Sequence, residues 1–411
     1  MFRLFVALTL TRFALSPVAQ AVNPPPDGGY AGFNTAEGTD ALFSNRSGTR
    51  NTSVGYQALY YNNGDYNTAA GSHALFSNTS GTENTATGAG ALSHNTSGFD
   101  NTASGFLALR DNTFGTSNTA IGAWALQSNK GHGNNNTATG AYALFQNTEG
   151  SDNVADGSFA LYRSETGRFN TAIGARALSN NTIGRDNTAT GGGALGFNTS
   201  GFENTAIGEG ALGDNRTGHN NTAFGAGAGN RVITADNVIC IGSNVEGRNV
   251  SNTTWIGNVY GGFTHNATTV PVIVSADGQL GTVASSKRFK KDIANMEKTS
   301  EVITSLRPVT FHYKTDGTST PQFGLIAEEV AKVNPALVLP DKDGKPYTVR
   351  YDAVNVMLLN EFLKEHKTVQ EQGATIACLQ KQINALSAAL QKVSAQLELN
   401  KAAPQTVLNN P

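Results

Sequence analysis

From Asn34 to Asn221 the chain sets its apolar and polar positions in one order that recurs twelve times, Asn-Thr-Ala-x-Gly-x-x-Ala-Leu-x-x-Asn-x-x-Gly, nearly every copy spanning 16 to 18 residues. The copies open at Asn34, Asn51, Asn67, Asn84, Asn101, Asn118, Asn136, Asn153, Asn170, Asn187, Asn204 and Asn221. A fixed short period marks a stack of like rungs, so one rung is the unit to explain. In such a stack, equivalent positions lie above one another at about 4.8 Å. Leu42, Leu59, Leu75 and their successors as far as Leu212 predict one apolar column, and Ala36, Ala69, Ala86 and their equivalents a second with room only for a methyl group. Gly38, Gly55 and Gly71 mark bends where the backbone turns left-handed or neighbouring backbones approach closely. The repeated Asn side chains are suited to bonding one another and the turn backbone. A rung therefore reads as a short strand, a glycine bend, a small-residue turn around Ala-Leu for which a helical turn is one option, and a polar return loop. Twelve such rungs make a rod of roughly 60 Å. One Leu and two Ala per rung give it a thin interior, which predicts association of subunits.

Beyond Val232 the repeat gives way to longer apolar pieces, Val238-Ile239-Cys240-Ile241 and Val270-Pro271-Val272-Ile273-Val274, which read as strands of a neck rather than further rungs. After Ser285 glycine becomes scarce, Lys and Glu become frequent, and helical spacing sets in, so a domain boundary is predicted near residue 284. Glu328 to Val333 reads as a short amphipathic helix closed by Pro335, and Asp341-Lys342-Asp343-Gly344 as a solvated turn, too short for a calcium loop. After Asp352 a long helix follows. Within it Ile376, Leu379, Ile383, Leu386, Leu390, Val393 and Leu397 alternate steps of three and four, the spacing of a seam for partner helices. Phe362 and Val369 extend one seam position upstream, while Glu365 and Gln372 interrupt the other.

Composition narrows the function classes. Lys and Arg number 29 against 31 Asp and Glu, so there is no electrostatic case for nucleic acid as partner. The 46 glycines and 15% charged residues would ordinarily point to disorder, but strict spacing favours order. Cys240 and Cys378 sit far apart in unlike segments, which supports neither a disulfide framework nor a metal centre, and no cofactor is implied. Arg3, the apolar run from Leu4 to Leu15 broken by Thr9, Thr11 and Arg12, and Ala19-Gln20-Ala21 predict a secretory signal cut after Ala21, hence a secreted or cell-surface location. No stretch approaches the ~20 apolar residues of a spanning helix, so no transmembrane segment is expected in the mature chain.

The pattern Asn118-Thr119-Ala120-Ile121-Gly122-Ala123-Trp124-Ala125-Leu126 resembles the head repeats of trimeric autotransporter adhesins. That resemblance covers about half the chain and implies a trimeric, left-handed parallel β-roll.

At the predicted boundary lies Ser285-Ser286-Lys287-Arg288-Phe289-Lys290-Lys291-Asp292-Ile293. A Ser hydroxyl five residues from a Lys is a candidate nucleophile and base, and Lys287, Arg288 and Lys291 would favour the neutral amine by like-charge repulsion. The pair alone is a weak signal, since Ser near Lys is common on solvated surfaces. Its surroundings strengthen it. Gly278-Gln279-Leu280-Gly281, Arg288 to Ile293, and Phe323-Gly324-Leu325-Ile326-Ala327-Glu328-Glu329-Val330 resemble the C-terminal intramolecular chaperone, or auto-processing, domain of phage endosialidase tailspikes, shared with fibre proteins and the myelin regulatory factor family. The resemblance spans roughly residues 285 to 370 and implies a domain that trimerises, guides folding of the β-rich stalk ahead of it, and then cuts itself off through a Ser-Lys dyad. The family pattern Ser-Asp-x-Arg-x-Lys places the nucleophile on Ser285, the general base on Lys290 and a supporting Arg on Arg288, with Asp292 a further supporting residue. Ser286 departs from the pattern, which puts cleavage in doubt and offers a rival nucleophile. The chemistry implied is one acyl transfer on a carbonyl beside Ser285, with the side left open.

The expected protein is mainly β with an α+β C-terminal domain. Its predicted divisions are a signal peptide at 1–21, a parallel β-solenoid or β-roll of about 17-residue rungs at 22–231, a β neck at 232–284, the chaperone domain at 285–370, a coiled coil at 371–400 and a disordered tail at 401–411. Ile with Leu along the seam leans to dimers, whereas the resemblance implies a homotrimer. The functional expectation is a secreted or surface trimeric, adhesin-like fibre with a cell-surface or glycan ligand. The alternatives are a phage-type tail fibre, a glycan-cleaving tailspike, or a non-cleaving structural or ice-binding solenoid. Against cleavage of glycans, Glu37, Glu149, Glu165, Glu203 and Glu209 are scattered rather than paired. The Thr35, Thr52, Thr68, Thr85 column that would order water is explained as well by strand propensity.

Overall fold

A computed structural model describes residues 30–259, 270–275, 278–341 and 343–401, so the predicted signal peptide and the tail beyond Lys401 lie outside the described residues. The chain divides into two compact units, Met1–Ala267 and Thr268–Pro411.

The first unit is a parallel β-solenoid. Twelve strands of three residues, from β1 (Thr35–Glu37) to β12 (Thr222–Phe224), are followed by β13 (Val238–Ile241) and β14 (Thr253–Ile256), all in one fourteen-stranded sheet whose spatial order is the chain order. Registers are rung on rung, Thr68 opposite Thr85 and Ala69 opposite Ala86. The segment at Val238, read from the sequence as neck, continues the same sheet: Ala223 pairs with Cys240, and Cys240 with Trp255. Backbone pairing needs no consensus side chains, so the stack runs on where the pattern has faded.

Nearly every rung buries the strand Ala and the Ala-Leu pair, as Ala69, Ala74 and Leu75 show; Ser53 takes the place of the strand Ala in one rung and Ala228-Gly229 that of Ala-Leu in another. The Ala-Leu turn is not helical. Leu75 has φ of 51° and the residue two before it, His73, 58°, and these left-handed positions recur from rung to rung. A left-handed non-glycine residue costs about 1–2 kcal/mol, and burying a Leu side chain returns about 1.5–3 kcal/mol. The turn therefore holds because Leu is inside. Glycine is required where rungs touch: Gly88 has φ of 128°, and a Cβ there would lie 2.5 Å from the carbonyl oxygen of Gly105.

Two Asn columns close the polar side of each rung. The opening Asn of one rung accepts the backbone N–H of the next, as Asn67 Oδ1 does from Asn84 N at 3.0 Å, while Asn84 Nδ2 donates to Gly98 O at 2.8 Å. In the second column Asn95 Nδ2 donates to Asn78 Oδ1 at 2.7 Å and to Gly98 O at 3.0 Å. Most of these buried amides are thus satisfied by their own copies in adjacent rungs, Asn147 Oδ1 and Asn215 Oδ1 being exceptions.

The second unit has three antiparallel pairs: β15 (Ile273–Val274) with β16 (Leu280–Gly281), β17 (Val309–Phe311) with β18 (Gln322–Gly324), and β19 (Val338–Pro340) with β20 (Pro346–Val349). Between them lies α1 (Ala327–Val333), and α2 (Tyr351–Lys401) ends the described chain as one helix of 51 residues. Its core is small: Val330, Leu337, Val349 and Met357 are buried. Tyr351 Oη accepts the Leu325 N–H at 2.9 Å and ties the start of α2 to the end of β18. Farther along α2, Asn360 Nδ2 donates to the buried Ser300 Oγ, whose hydroxyl donates to Glu361. Those bonds anchor the 3-10 segment Glu297–Ser305 on the helix.

Candidate functional site

Ser285 and Lys290 flank a single 3-10 turn, Lys287–Phe289. The turn closes through Phe289 N donating to Ser286 O at 3.0 Å and Lys290 N to Lys287 O at 3.1 Å. Reversing the chain over five residues brings the two side chains together, and Lys290 Nζ donates to Ser285 Oγ at 3.1 Å. That is hydrogen-bond reach for a nucleophile and its base.

The neighbours behave differently. Ser286 caps the turn with its carbonyl and its side chain makes no capping bond. The Arg288 guanidinium lies over the Phe289 ring, 4.7 Å from the centroid. Asp292 adopts φ of 54°, a left-handed position just after the pair. Among the described residues neither Arg288 nor Asp292 bonds to Ser285 or Lys290, so within one chain the site is the two side chains alone. The whole run is exposed, Phe289 and Ile293 included. Elsewhere in the second unit, Arg307 pairs in a fork with Glu329 of α1, and its hydrogen bonds hold the Glu329 carboxyl below the usual carboxylate range.

On α2 the seam residues Ile376, Leu379, Ile383, Leu386, Leu390, Val393 and Leu397 are all exposed, as are Phe362 and Val369. No helix among the described residues is long and apolar enough to cross a membrane. Cys240 is buried and Cys378 exposed, both as free thiols, and burial pushes the Cys240 thiol up. Among the described residues no group of three or more His, Cys, Asp or Glu is placed to hold a metal.

On the solenoid the Thr column lies in register on the outer face of the sheet. The column beside it mixes Glu37, Val54, Ala70, Thr87, Ile121 and Asp156, so the face is not a uniform hydroxyl array. Rings that the consensus does not include form ladders along another face. Phe43, Tyr60 and Phe76 stack at 5.2 and 5.3 Å between centroids, Trp124, Tyr142 and Phe159 at 6.0 and 5.1 Å, and Phe145 on Tyr162 at 5.3 Å. Their signal in the sequence is recurrence one position before the Ala-Leu pair or one after it.

Residues 285–339 match the family described as chaperone of endosialidase. The match begins on Ser285 and takes in the 3-10 turn, β17, β18 and α1. No match was found among curated proteins or among solved structures.

Proposed function

We propose that the segment beginning at Ser285 is a folding domain that gathers three chains, sets their solenoids in register, and then separates itself by cutting the backbone beside Ser285. The observation that carries this reading is the Lys290 Nζ to Ser285 Oγ contact of 3.1 Å at the first residue of the matched segment. In the reaction, Lys290 removes the hydroxyl proton, Ser285 Oγ attacks an adjacent backbone carbonyl, the amide nitrogen leaves with a proton, and water hydrolyses the ester. The amine must be neutral to do so, and burial among assembled chains favours that form. Assembly would thereby come before cleavage, a single turnover with no action on other proteins.

The exposed seam of α2 and the small core of the second unit support assembly, because a lone helix does not keep such a stripe in water. Residues 371–400 act as the coiled coil, 285–370 as the chaperone, and the solenoid ahead of them as the fibre left behind. That fibre is exported and displayed as an adhesin-like surface.

Denaturing electrophoresis of the purified full chain tests the chemistry. The wild type is expected to yield two fragments divided beside Ser285, and Ser285→Ala and Lys290→Ala to remain whole. An intact wild-type chain, or fragments that persist in Ser285→Ala, would overturn the assignment.

A further inference from the structure

The aromatic ladders of the solenoid are interrupted at one place. One position after Ala-Leu the chain carries Phe43, Tyr60 and Phe76, then Ser93, Arg110 and Gln127, and then Phe145 and Tyr162. One position before Ala-Leu it carries His73, then Gly90 and Leu107, and then Trp124, Tyr142 and Phe159. The rung opened by Asn84 therefore offers Gly90 and Ser93 where the rung before it offers His73 and Phe76 and the rung after it Leu107 and Arg110. An open depression of about 480 Å³ lies there, with Ser72, His73, Phe76, Ser93, His94 and Phe106 among its lining.

The walls of this slot are apolar faces. Phe76 stacks one face on Tyr60 at an interplanar angle of 25°, which leaves the other turned toward the rung of Ser93. Phe106, two rungs along, makes an edge contact with Trp124 at 5.3 Å and bounds the far side. Phe76 and Phe106 belong to rungs two apart, about 10 Å along the stack, which leaves room for one ring between them. The rim is polar and without free charge. His73 Nδ1 is bonded to Ser72 Oγ at 2.9 Å and His94 Nδ1 to Asp111 Oδ1 at 3.0 Å, which leaves each Nε2 for a ligand. Arg110 is occupied by both oxygens of Asp111.

A pyranose has this chemistry, with C–H faces that pack on aromatic rings and hydroxyls around its edge that need hydrogen-bond partners. We propose that the slot binds one uncharged pyranose residue of a glycan between Phe76 and Phe106, its hydroxyls bonded to Ser72, Ser93, His73 and His94. This rests on the reading of the solenoid as a displayed surface and is independent of the cleavage chemistry.

Electrophoresis of the native full chain through gels containing dextran, galactan or mannan tests it. Wild type should be retarded by at least one polysaccharide. Ser93→Phe, which fills the slot with a ring, and Phe76→Ala, which removes a wall, should each weaken that retardation by about tenfold. Phe224→Ser, on the outer face of the sheet, should be retarded as wild type, and circular dichroism should show all three variants folded. Equal retardation of the folded slot variants and wild type would overturn the slot while leaving the displayed surface standing. Absence of retardation of wild type by all three polysaccharides would also overturn it, with attachment of the fibre to cells as the separate test of display. A change of oligomeric mass on Ser93→Phe would overturn it in favour of a second copy of this chain as occupant.

Discussion

Apart from its end at Asn215, whose Oδ1 is also left unpaired, the second Asn column contains one internal fault, and repairing it should stabilise the solenoid. Ser164 stands where the rungs on either side place Asn147 and Asn181. Its hydroxyl is too short to span a rung, so Asn147 Oδ1 and Ser164 Oγ are both buried without a partner. Asn181 Nδ2 donates only to Gly184 O at 2.9 Å, whereas Asn198 Nδ2 reaches both Asn181 Oδ1 and Gly201 O. In Ser164→Asn the new amide would donate to Asn147 Oδ1 and to the Gly167 carbonyl and accept from Asn181. Relieving buried unsatisfied polar atoms is worth about 1–3 kcal/mol each, and fixing the longer side chain takes back part of that, so a net gain of about 1–3 kcal/mol is expected. Solenoids open locally, so the assay is hydrogen exchange over the rungs from Asn147 to Asn181, where exchange should slow about fivefold per kcal/mol. Ser164→Ala removes the orphan hydroxyl but leaves Asn147 unsatisfied, and should gain less than about 1 kcal/mol. Unchanged or faster exchange in Ser164→Asn, or an equal gain in Ser164→Ala, would refute the ladder as the source of stability.

Gly98→Ala would put a Cβ 2.4 Å from the carbonyl oxygen of Gly115, backbone that cannot move aside, and should cost about 1–3 kcal/mol in urea melts; Gly281→Ala, with nothing within 4 Å, is the near-neutral control. Glu83 hydrogen-bonds to Asp100 one rung away, and that bond, with the repulsion between the carboxylates, raises its pKa. Its contribution to stability is therefore present at acid pH and lost as pH rises through the raised value, so Glu83→Gln should be more stable than wild type at pH 7, with the difference disappearing at pH 3. Leu386→Asp on the seam of α2 should remove the burial of one Leu, about 1.5–3 kcal/mol per chain, and shift the mass seen by light scattering towards the single chain.

Much of the solenoid could be read before its structure because repetition separates the positions that must be constant from those free to vary. The Leu column, the strand Ala, the glycine bends and the Asn columns follow from twelve aligned copies. The left-handed Leu does not, since Ala-Leu is an ordinary helical dipeptide and only the surrounding stack turns it. β13 was legible as a strand, but its place in the stack was hidden because Val238, Ile239 and Cys240 retain the pairing without the consensus residues. The aromatic ladders were hidden for the opposite reason: they occupy variable positions and vanish when the copies are averaged. At the candidate site, the spacing of Ser285 and Lys290 was visible, but their contact depends on the 3-10 turn, which no helical period announces. The expectation that Arg288 and Asp292 support the pair finds no bond to it within one chain.

The central claim is that the segment after Ser285 assembles the fibre and then leaves it, and mass spectrometry of the purified protein under native conditions, repeated after denaturation, tests it most directly. The account predicts a trimer of solenoid chains ending beside Ser285 for the wild type, and a trimer of whole chains for Ser285→Ala. A wild-type protein that is monomeric and whole would contradict it.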